Sequence, residues 1–186
     1  MLSEDSGGLT AMSSLVLREL KQQDEKAFFK AIEQTQATDP NFAHYYTKGM
    51  SFEQYLRVLA SVKLGFEIPK DHVPASVLYA FVGDWIVGRL TMRYNLNDPM
   101  GHVAGHIGYI VVPEFRKRGY SLEMLKQGLE VAKRADMPKI LLTCDANDEA
   151  SKKTIERAGG QFENTYQDAS LKVPKSRFWV DFNKLY

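Results

Sequence analysis

The segment best equipped for chemistry is a basic turn within Val111-Val-Pro-Glu-Phe-Arg-Lys-Arg-Gly-Tyr-Ser121. An apolar run precedes it and a helical pattern follows it, so we expect it to join a strand to a helix N-terminus. The first amides of a helix lack intrahelical acceptors and carry partial positive charge, and Gly119 lets the backbone approach an anion. Arg116, Lys117 and Arg118 add mobile charge. The pattern predicts a site for a phosphorylated ligand; a surface turn that only caps its helix is the alternative.

Side-chain periodicity predicts the elements that would position this turn. Alternation predicts a strand over 14–20 and a β-hairpin over 76–94 that turns at Gly83-Asp84, and a short apolar run predicts a buried strand over 139–144. Further strands are expected over 102–112, 161–166 and 177–181. Helical spacing predicts helices over 24–34, 51–65, 121–135 and 148–158. A helix between two apolar strands implies a parallel crossover, whereas the hairpin is antiparallel. The predicted fold class is therefore α/β, a mixed sheet with helices on its faces.

Composition limits the classes of protein to consider. The chain has 186 residues, of which 44% are hydrophobic and 25% charged, and its formal net charge is +1. These values fit a globular protein and give no overall field for nucleic acid, so we expect no nucleic-acid partner. No apolar run reaches the roughly 18 residues of a membrane span, so we expect no membrane partner. Residues 1–13 are expected to be a flexible leader and 14–186 a single domain.

Cysteine and histidine usage gives no sign of a metal. Cys144 is the only cysteine, so an internal disulfide and a Cys-rich zinc site are excluded, and a reducing cytoplasmic location is expected. We interpret Cys144 as a small buried thiol without a catalytic role. The four histidines do not place two ligands on one helix face. The sequence also contains neither G-x-x-x-x-G-K-[ST] nor a G-x-G-x-x-G after a strand, which disfavours ATP and dinucleotide sites.

The basic turn resembles motif A of the GNAT N-acetyltransferases, commonly written V-x-P-x-x-[RQ]-x-x-G-x-[GA]. The matching residues are Val111, Pro113, Arg116, Gly119 and Ser121, with serine in place of the usual glycine or alanine. Further matching segments run in order from Pro74 to the C-terminus and include 81–83, 86–89, 105–109, 155–160 and 177–179. The chain is thus identified as similar to a bacterial subgroup of this family. The resemblance implies the GNAT fold, a mixed, mostly antiparallel central sheet that splays at the acetyl-CoA site, with helices on both faces.

The resemblance also implies where acetyl-CoA would bind as the acetyl donor, without a metal. The pantetheine arm would follow the strand ending at Val112, in the gap beside strand 139–144, and the pyrophosphate would lie on 116–121. A backbone N–H near Val111 would polarise the thioester carbonyl. In the last helix Asn147 is expected to contact the cofactor and Asp148 to cap the helix. The implied cofactor-binding residues are Ile110, Val111, Val112, Arg116, Lys117, Arg118, Gly119, Tyr120, Ser121, Asn147, Ser151 and Lys152.

For a family member we expect direct transfer of the acetyl group to an amine. His106 is the first candidate for the general base because it lies on the motif A strand, and Tyr109 and His102 follow it. A hydrogen-bonded structural histidine is the alternative interpretation of His106. The tyrosine that many relatives use as general acid is replaced by Ile155, which leaves the acid unassigned.

The remaining expectations concern partners. Glu67 and Asp71 could attract a cationic amine or could be solvated surface carboxylates. The aromatic residues between 28 and 66 could form core or a wall of the substrate site. The sequence predicts an N-acetyltransferase acting on a small-molecule or peptide amine acceptor. Its alternative is a non-catalytic acyl-CoA-binding sensor or interaction module. The apolar C-terminal segment 182–186 could form the interface of a homodimer or pack in the core.

Overall fold

The computed structural model describes residues 14–66 and 68–184. The predicted leader, Glu67 and the end of the predicted dimer segment lie outside the described residues. The strands are β1 (Val16–Arg18), β2 (Ala75–Val82), β3 (Trp85–Arg93), β4 (Ile107–Val111), β5 (Lys139–Asp145), β6 (Gln161–Tyr166) and β7 (Lys175–Asp181). The α-helices are α1 (Glu25–Thr35), α2 (Phe52–Leu64), α3 (Asp98–Val103), α4 (Tyr120–Arg134) and α5 (Glu149–Arg157).

The seven strands form one sheet in the order β1-β2-β3-β4-β5-β7-β6. Every pairing is antiparallel except β4 with β5, which are parallel and joined through α4. That parallel pairing consists of a single residue pair, Ile107 with Leu142, so the two strands separate beyond it. The predicted α/β class, with a mixed and mostly antiparallel sheet that splays, is therefore confirmed.

Helix α2 shows why the predicted helices form where they do. Ser51 accepts a hydrogen bond from the Gln54 amide at 3.2 Å, and the Gln54 side chain returns one to the Ser51 amide at 2.8 Å. This capping box satisfies two amides that the helix itself leaves unpaired. The helix ends at Gly65, whose left-handed φ of 83° costs glycine little. The prediction of a helix over 51–65 is confirmed.

The predicted strand 102–112 is wrong over its first five residues. Asn97 caps α3 by accepting the Met100 amide at 3.0 Å, and the helix includes His102. Gly105, with a φ of +65°, turns the chain into β4, which begins only at Ile107. The alternation of glycine and histidine resembled a strand, but capping by Asn97 and the proline that follows decide for a helix.

Helices pack on both faces of the sheet. Helix α4 lies against β3 and β4 on one face, and α1 and α2 lie on the other. The core on the α1–α2 face contains Phe28, Phe42, Phe52 and Tyr55, none more than 1% exposed. Half of the predicted aromatic group is therefore core and not substrate wall, whereas Phe29 and Phe66 are exposed. Among the described residues, no helix combines the length and apolarity that crossing a membrane would require.

Candidate active site

The gap between β4 and β5 exposes backbone groups of β4. The Val112 amide donates to the Val87 carbonyl at 2.9 Å, and the Arg93 amide donates to the His106 carbonyl at 2.7 Å. In an antiparallel pair, alternate residues direct both of their backbone polar groups to the same neighbouring strand. The amides of Tyr109 and Val111 therefore face β5, where the register provides no partner for them. The predicted donor near Val111 is thus at the gap.

A groove of about 540 Å³ opens at this gap. Its walls come from β4, the basic turn, the first turns of α4 and α5, and one residue of the α1–α2 connection. The lining residues are Asp39, Tyr109, Ile110, Val111, Phe115, Arg116, Lys117, Gly119, Tyr120, Ser121, Asp148, Ala150, Ser151 and Thr154. The structure therefore brings together most of the predicted cofactor-binding residues. It also adds Asp39, Phe115, Asp148, Ala150 and Thr154, which sequence reasoning did not assign to the groove.

The basic turn has the geometry expected of an anion site. Lys117 and Gly119 have left-handed φ values of 62° and 83°. The amides of 117–122 donate to no acceptor in the part of the chain that the structure describes. A Cβ built on Gly119 would meet no atom within 4 Å, so the space above this backbone is open. Unpaired amides at the start of α4 and open space can accept a phosphate group.

Arg116 is held at the groove by two contacts. Its Nε donates to the Val111 carbonyl at 3.1 Å, and its Nη2 pairs with the Asp39 carboxylate at 2.5 Å. Asp39 lies 77 residues away in the chain. No local pattern could have indicated this carboxylate, because only the fold brings the α1–α2 connection to the turn. A bound phosphate would compete with Asp39 for the same guanidinium group.

Tyr109 carries the one buried side-chain polar atom without a hydrogen-bond partner among the described residues, its hydroxyl. The ring projects from β4 towards α5, where Ser151 and Thr154 also line the groove. Burial is the main cause that raises the pKa of Tyr109 to about 12. Ile155, which stands where the family resemblance implied a tyrosine, is 1% exposed and part of the core. The phenol beside this helix therefore comes from the strand and not from the helix.

The start of α5 corrects one expectation and supports another. Asp148 caps the helix by accepting the Ser151 amide at 3.0 Å and the Ser151 hydroxyl at 2.6 Å. This is the expected cap. Asp148 nevertheless lines the groove, whereas Asn147 is exposed and does not. The geometry therefore favours Asp148, and not the preceding Asn147, as the groove residue before α5.

His106 has a structural contact that disfavours its predicted role as base. Its Nδ1 accepts the Leu141 amide at 2.9 Å, while its own amide donates to the Leu141 carbonyl at 2.8 Å. In the neutral ring the proton is then on Nε2, so the only basic lone pair is already used. Burial lowers the pKa of His106 to about 4. The imidazole fastens β4 to β5 at the root of the gap, and it does not line the groove.

The other predicted residues lie beside the groove. Val112 is fully buried, Arg118 lies over the Phe115 ring at 5.4 Å, and Lys152 pairs with Glu149 at 2.8 Å.

Burial raises the pKa of the Cys144 thiol to about 11, so the thiol stays protonated at neutral pH. Within 14–66 and 68–184, no group of three or more His, Cys, Asp or Glu side chains could hold a metal ion.

The splayed sheet and the anion-binding turn at its gap define the class: an α/β acyl-transfer fold of the GNAT type. A family model of the acetyltransferase (GNAT) domain matches residues 14–161, most of the chain. The chain therefore belongs to the GNAT acetyltransferase family, as its sequence predicted. No protein of curated function matches it by sequence.

Solved structures share the fold at low sequence identity. RimL, the ribosomal L7/L12 α-N-protein acetyltransferase in complex with coenzyme A, has a TM-score of 0.64 and 17% identity, covering 91% of this chain and 94% of its own. An acetyltransferase from Salmonella typhimurium that modifies the N-terminal serine of ribosomal protein L7/L12 has a TM-score of 0.63 and 17% identity, covering 91% and 96%. The yncA protein of Salmonella typhimurium with acetyl-CoA has a TM-score of 0.61 and 11% identity, covering 91% and 95%.

Proposed function

We propose that this protein transfers the acetyl group of acetyl-CoA directly to a primary amine of a small molecule, a peptide or a protein. The observation that carries the proposal is the gap between β4 and β5, where free backbone amides of the strand meet the anion site of the turn in one groove. Structural relatives that acetylate a ribosomal protein support a polypeptide amine as acceptor.

The residues at the groove fit acetyl-CoA. The unpaired amides of 117–122, the open space at Gly119 and the side chains of Arg116 and Lys117 would hold the pyrophosphate. The β5-facing backbone groups of Tyr109 would serve as ladder partners for an extended amide chain. When bound, acetyl-CoA supplies an activated thioester. Asp39 holds one nitrogen of the Arg116 guanidinium group beside the anion site, which makes Asp39 an opposing charge there.

Two groups of the chain can stabilise developing negative charge. The Val111 amide faces the gap and can donate to an oxyanion, an effect worth roughly 10² to 10³ in rate in other acyl-transfer enzymes. The Tyr109 hydroxyl makes no hydrogen bond of standard geometry among the described residues, although the side chains of Ser151 and Thr154 lie close to it. It keeps its proton at neutral pH, so it can donate a hydrogen bond to a sulfur anion. A thiol with a pKa of about 8.5 leaves adequately with such a donor and needs no stronger acid. Tyr109 thus takes the place left vacant by Ile155.

The described carboxylates of the groove are already engaged. Asp39 pairs with Arg116, and both oxygens of Asp148 accept hydrogen bonds from Ser151. His106, beside the groove, has its basic nitrogen occupied by the Leu141 amide, so no described groove side chain is a free carboxylate or imidazole. We therefore infer that the acceptor amine loses its proton to solvent before attack, so the rate should rise with pH as the neutral amine forms.

A non-catalytic acyl-CoA-binding module is the second candidate, because Ile155 replaces the familiar acid and Asp148 faces the groove. Release of CoA thiol in the presence of a panel of amines separates the two candidates. An enzyme releases thiol only when an acceptor is present. A module binds acetyl-CoA and releases none.

The test of the cofactor site compares two glycines. Gly119 and Gly49 both have left-handed φ values, 83° and 94°, and a Cβ would meet no atom within 4 Å at either one. Gly119→Glu places bulk and negative charge in the groove, whereas Gly49→Glu places the same side chain in the turn before α2. In calorimetry, we expect Gly119→Glu to abolish acetyl-CoA binding and Gly49→Glu to preserve it. Equal binding by both variants, or no binding by the wild type, would refute the proposed site.

A further inference from the structure

Two arginines lie on the sheet face opposite Tyr109, at the same gap. Because side chains alternate along a strand, Arg89, Thr91 and Arg93 of β3 share the face covered by α1 and α2. Gly108 of β4 pairs with Thr91 and belongs to this face, whereas Tyr109 belongs to the other. Arg89 is only 2% exposed and Arg93 is partly buried. Positive charge is thus withdrawn from water on the second side of the gap.

Each guanidinium nitrogen of Arg89 donates to a neutral acceptor. Its Nε donates to the Phe42 carbonyl at 2.9 Å, its Nη2 to the Asn41 carbonyl at 3.2 Å and its Nη1 to the Thr91 hydroxyl at 2.6 Å. Its donors are committed to the α1–α2 connection and to β3. Arg89 therefore positions this connection beside the gap and keeps its full charge there.

Arg93 has donors to spare. Its Nη1 makes one long hydrogen bond, at 3.3 Å, to the Gly105 carbonyl. A Cβ built on Gly108 would lie 3.8 Å from the same nitrogen, so the guanidinium group lies over bare backbone of β4 next to the gap. Any larger residue at 108 would put a side chain between Arg93 and the gap. Glycine leaves that approach open.

No carboxylate among residues 14–66 and 68–184 pairs with either arginine. The groups that face them are the hydroxyls of Tyr45, Tyr55 and Tyr79 and the ring of His44. Burial and the two arginines lower the pKa of His44 to about 3, so that ring is neutral and supplies no anion. Two partly desolvated cations without a counter-ion in the described part of the chain are costly, because each loses hydration that no opposite charge there replaces.

Backbone strain lies in the same place. Tyr45 and Asp71 have left-handed φ values of 67° and 66°, which residues other than glycine rarely adopt. Tyr45 contacts His72 through its hydroxyl at 3.3 Å, which links the α1–α2 connection to the segment before β2. Strain that persists in a folded protein concentrates where a binding geometry requires it.

We propose that Arg93, supported by the charge of Arg89, binds a carboxylate of the acceptor, so that the acceptor is an amino acid or peptide with a carboxylate beside its reacting amine. This inference rests on the proposed acetyl transfer and names the class of acceptor for it. A guanidinium group with free donors binds a carboxylate through two parallel hydrogen bonds. The carboxylate is either the α-carboxylate of a free amino acid or the side chain of an acidic N-terminal residue.

The test uses pairs of acceptors in which an amide replaces one carboxylate, and rates are compared per neutral amine, because loss of the carboxylate also lowers the pKa of the reacting amine. The first pair is alanine and alaninamide, and the second is a tripeptide amide that begins with aspartate and its counterpart that begins with asparagine. With the wild-type protein and acetyl-CoA, thiol release is measured for all four. We expect one carboxylate acceptor to exceed its neutral partner in kcat/KM by about tenfold or more, the effect of one charge-assisted contact. Which pair shows the preference identifies the source of the carboxylate.

Two variants locate the effect. Arg93→Gln should remove the preference by raising KM for the carboxylate acceptor. It should leave kcat/KM for the neutral acceptor and the dissociation constant of acetyl-CoA unchanged. Arg57→Gln removes the same charge from an exposed side chain of α2. It should change neither the preference for the carboxylate acceptor nor the dissociation constant of acetyl-CoA. Equal kcat/KM values of the wild type for the acid and the amide of each pair would overturn the inference without any variant. An equal loss of kcat/KM for both members of a pair in Arg93→Gln would overturn it as well. Failure of acetyl-CoA to bind, or of every amine to react, would instead refute the proposed function.

Discussion

The unpaired hydroxyl of Tyr109 allows a test in which stability and activity should move in opposite directions. In Tyr109→Phe, the buried oxygen that lacks a hydrogen-bond partner is removed and the ring stays. Tyr55→Phe is the matched control, because the Tyr55 hydroxyl donates to the His44 carbonyl at 2.9 Å and shares a hydrogen bond of 2.8 Å with Tyr79. Both substitutions delete one buried phenolic oxygen.

The expected magnitudes follow from these contacts. A buried polar group without a partner costs about 1–3 kcal/mol, so Tyr109→Phe should raise the free energy of unfolding by about 1 kcal/mol. For a chain of this length the increase corresponds to a Tm higher by about 2–4 °C. Tyr55→Phe leaves the Tyr79 hydroxyl and the His44 carbonyl without their partner, so it should lower the free energy of unfolding by about 1–2 kcal/mol.

Denaturant unfolding gives the stabilities, and CoA thiol release with a reactive amine gives the rates. If Tyr109 donates to the leaving sulfur, Tyr109→Phe should be the more stable protein and yet slower by about 10²-fold. Tyr55→Phe should lose stability, with a smaller change in rate. A Tyr109→Phe protein that is destabilised as strongly as Tyr55→Phe would show that the hydroxyl has a partner in solution and would refute the reasoning.

Three further substitutions test other parts of the structure. A Cβ at Gly105, which has a left-handed φ, would approach the Leu141 carbonyl oxygen to 2.6 Å. Gly105→Ala should therefore lower the free energy of unfolding, measured with denaturant, by about 2 kcal/mol or more. Gly101→Ala, where a Cβ would meet no atom within 4 Å, should leave it unchanged. Asp39→Asn removes the charge that competes for the turn and should tighten acetyl-CoA binding about two- to fivefold in calorimetry; an unchanged affinity would contradict the competition. Burial holds the pKa of His106 near 4 and below its ordinary 6.5, so the unfolded chain takes up this proton first and stability falls as pH drops from 6.5 towards 4. His106→Gln should reduce that slope by about 1.4 kcal/mol per pH unit, and an unaltered slope would count against the contact.

Much of the fold follows from local pattern. The hairpin at Gly83-Asp84, the helix capped by Ser51 and the helix of the basic turn are each determined by residues close in sequence, and each forms within one or two residues of its predicted bounds. The strand predicted from His102 failed for a local reason too. Its alternation was produced by glycines and histidines, which have little strand preference, while Asn97 supplied a helix cap.

The site was predictable only where one segment forms it. The turn from Arg116 to Ser121 is continuous in sequence, and the structure places nearly all of it at the groove. Asp39, the unpaired state of the Tyr109 hydroxyl and the isolation of Arg93 from carboxylates depend on distant segments that the sheet brings together. Absence of a partner has no sequence signature, because it is a property of the whole packed neighbourhood.

The connection between α1 and α2 reaches both sides of the gap. Within a few residues it supplies Asp39 to Arg116 at the groove, the carbonyls of Asn41 and Phe42 to Arg89, and His44 to Thr91 at 3.4 Å. An event that displaces Asp39 therefore acts on the backbone that Arg89 holds. The two substrates would then influence each other's affinity by the same factor, whichever binds first, since such linkage is reciprocal. In a kinetic study this would appear as a Michaelis constant for each substrate that varies with the concentration of the other.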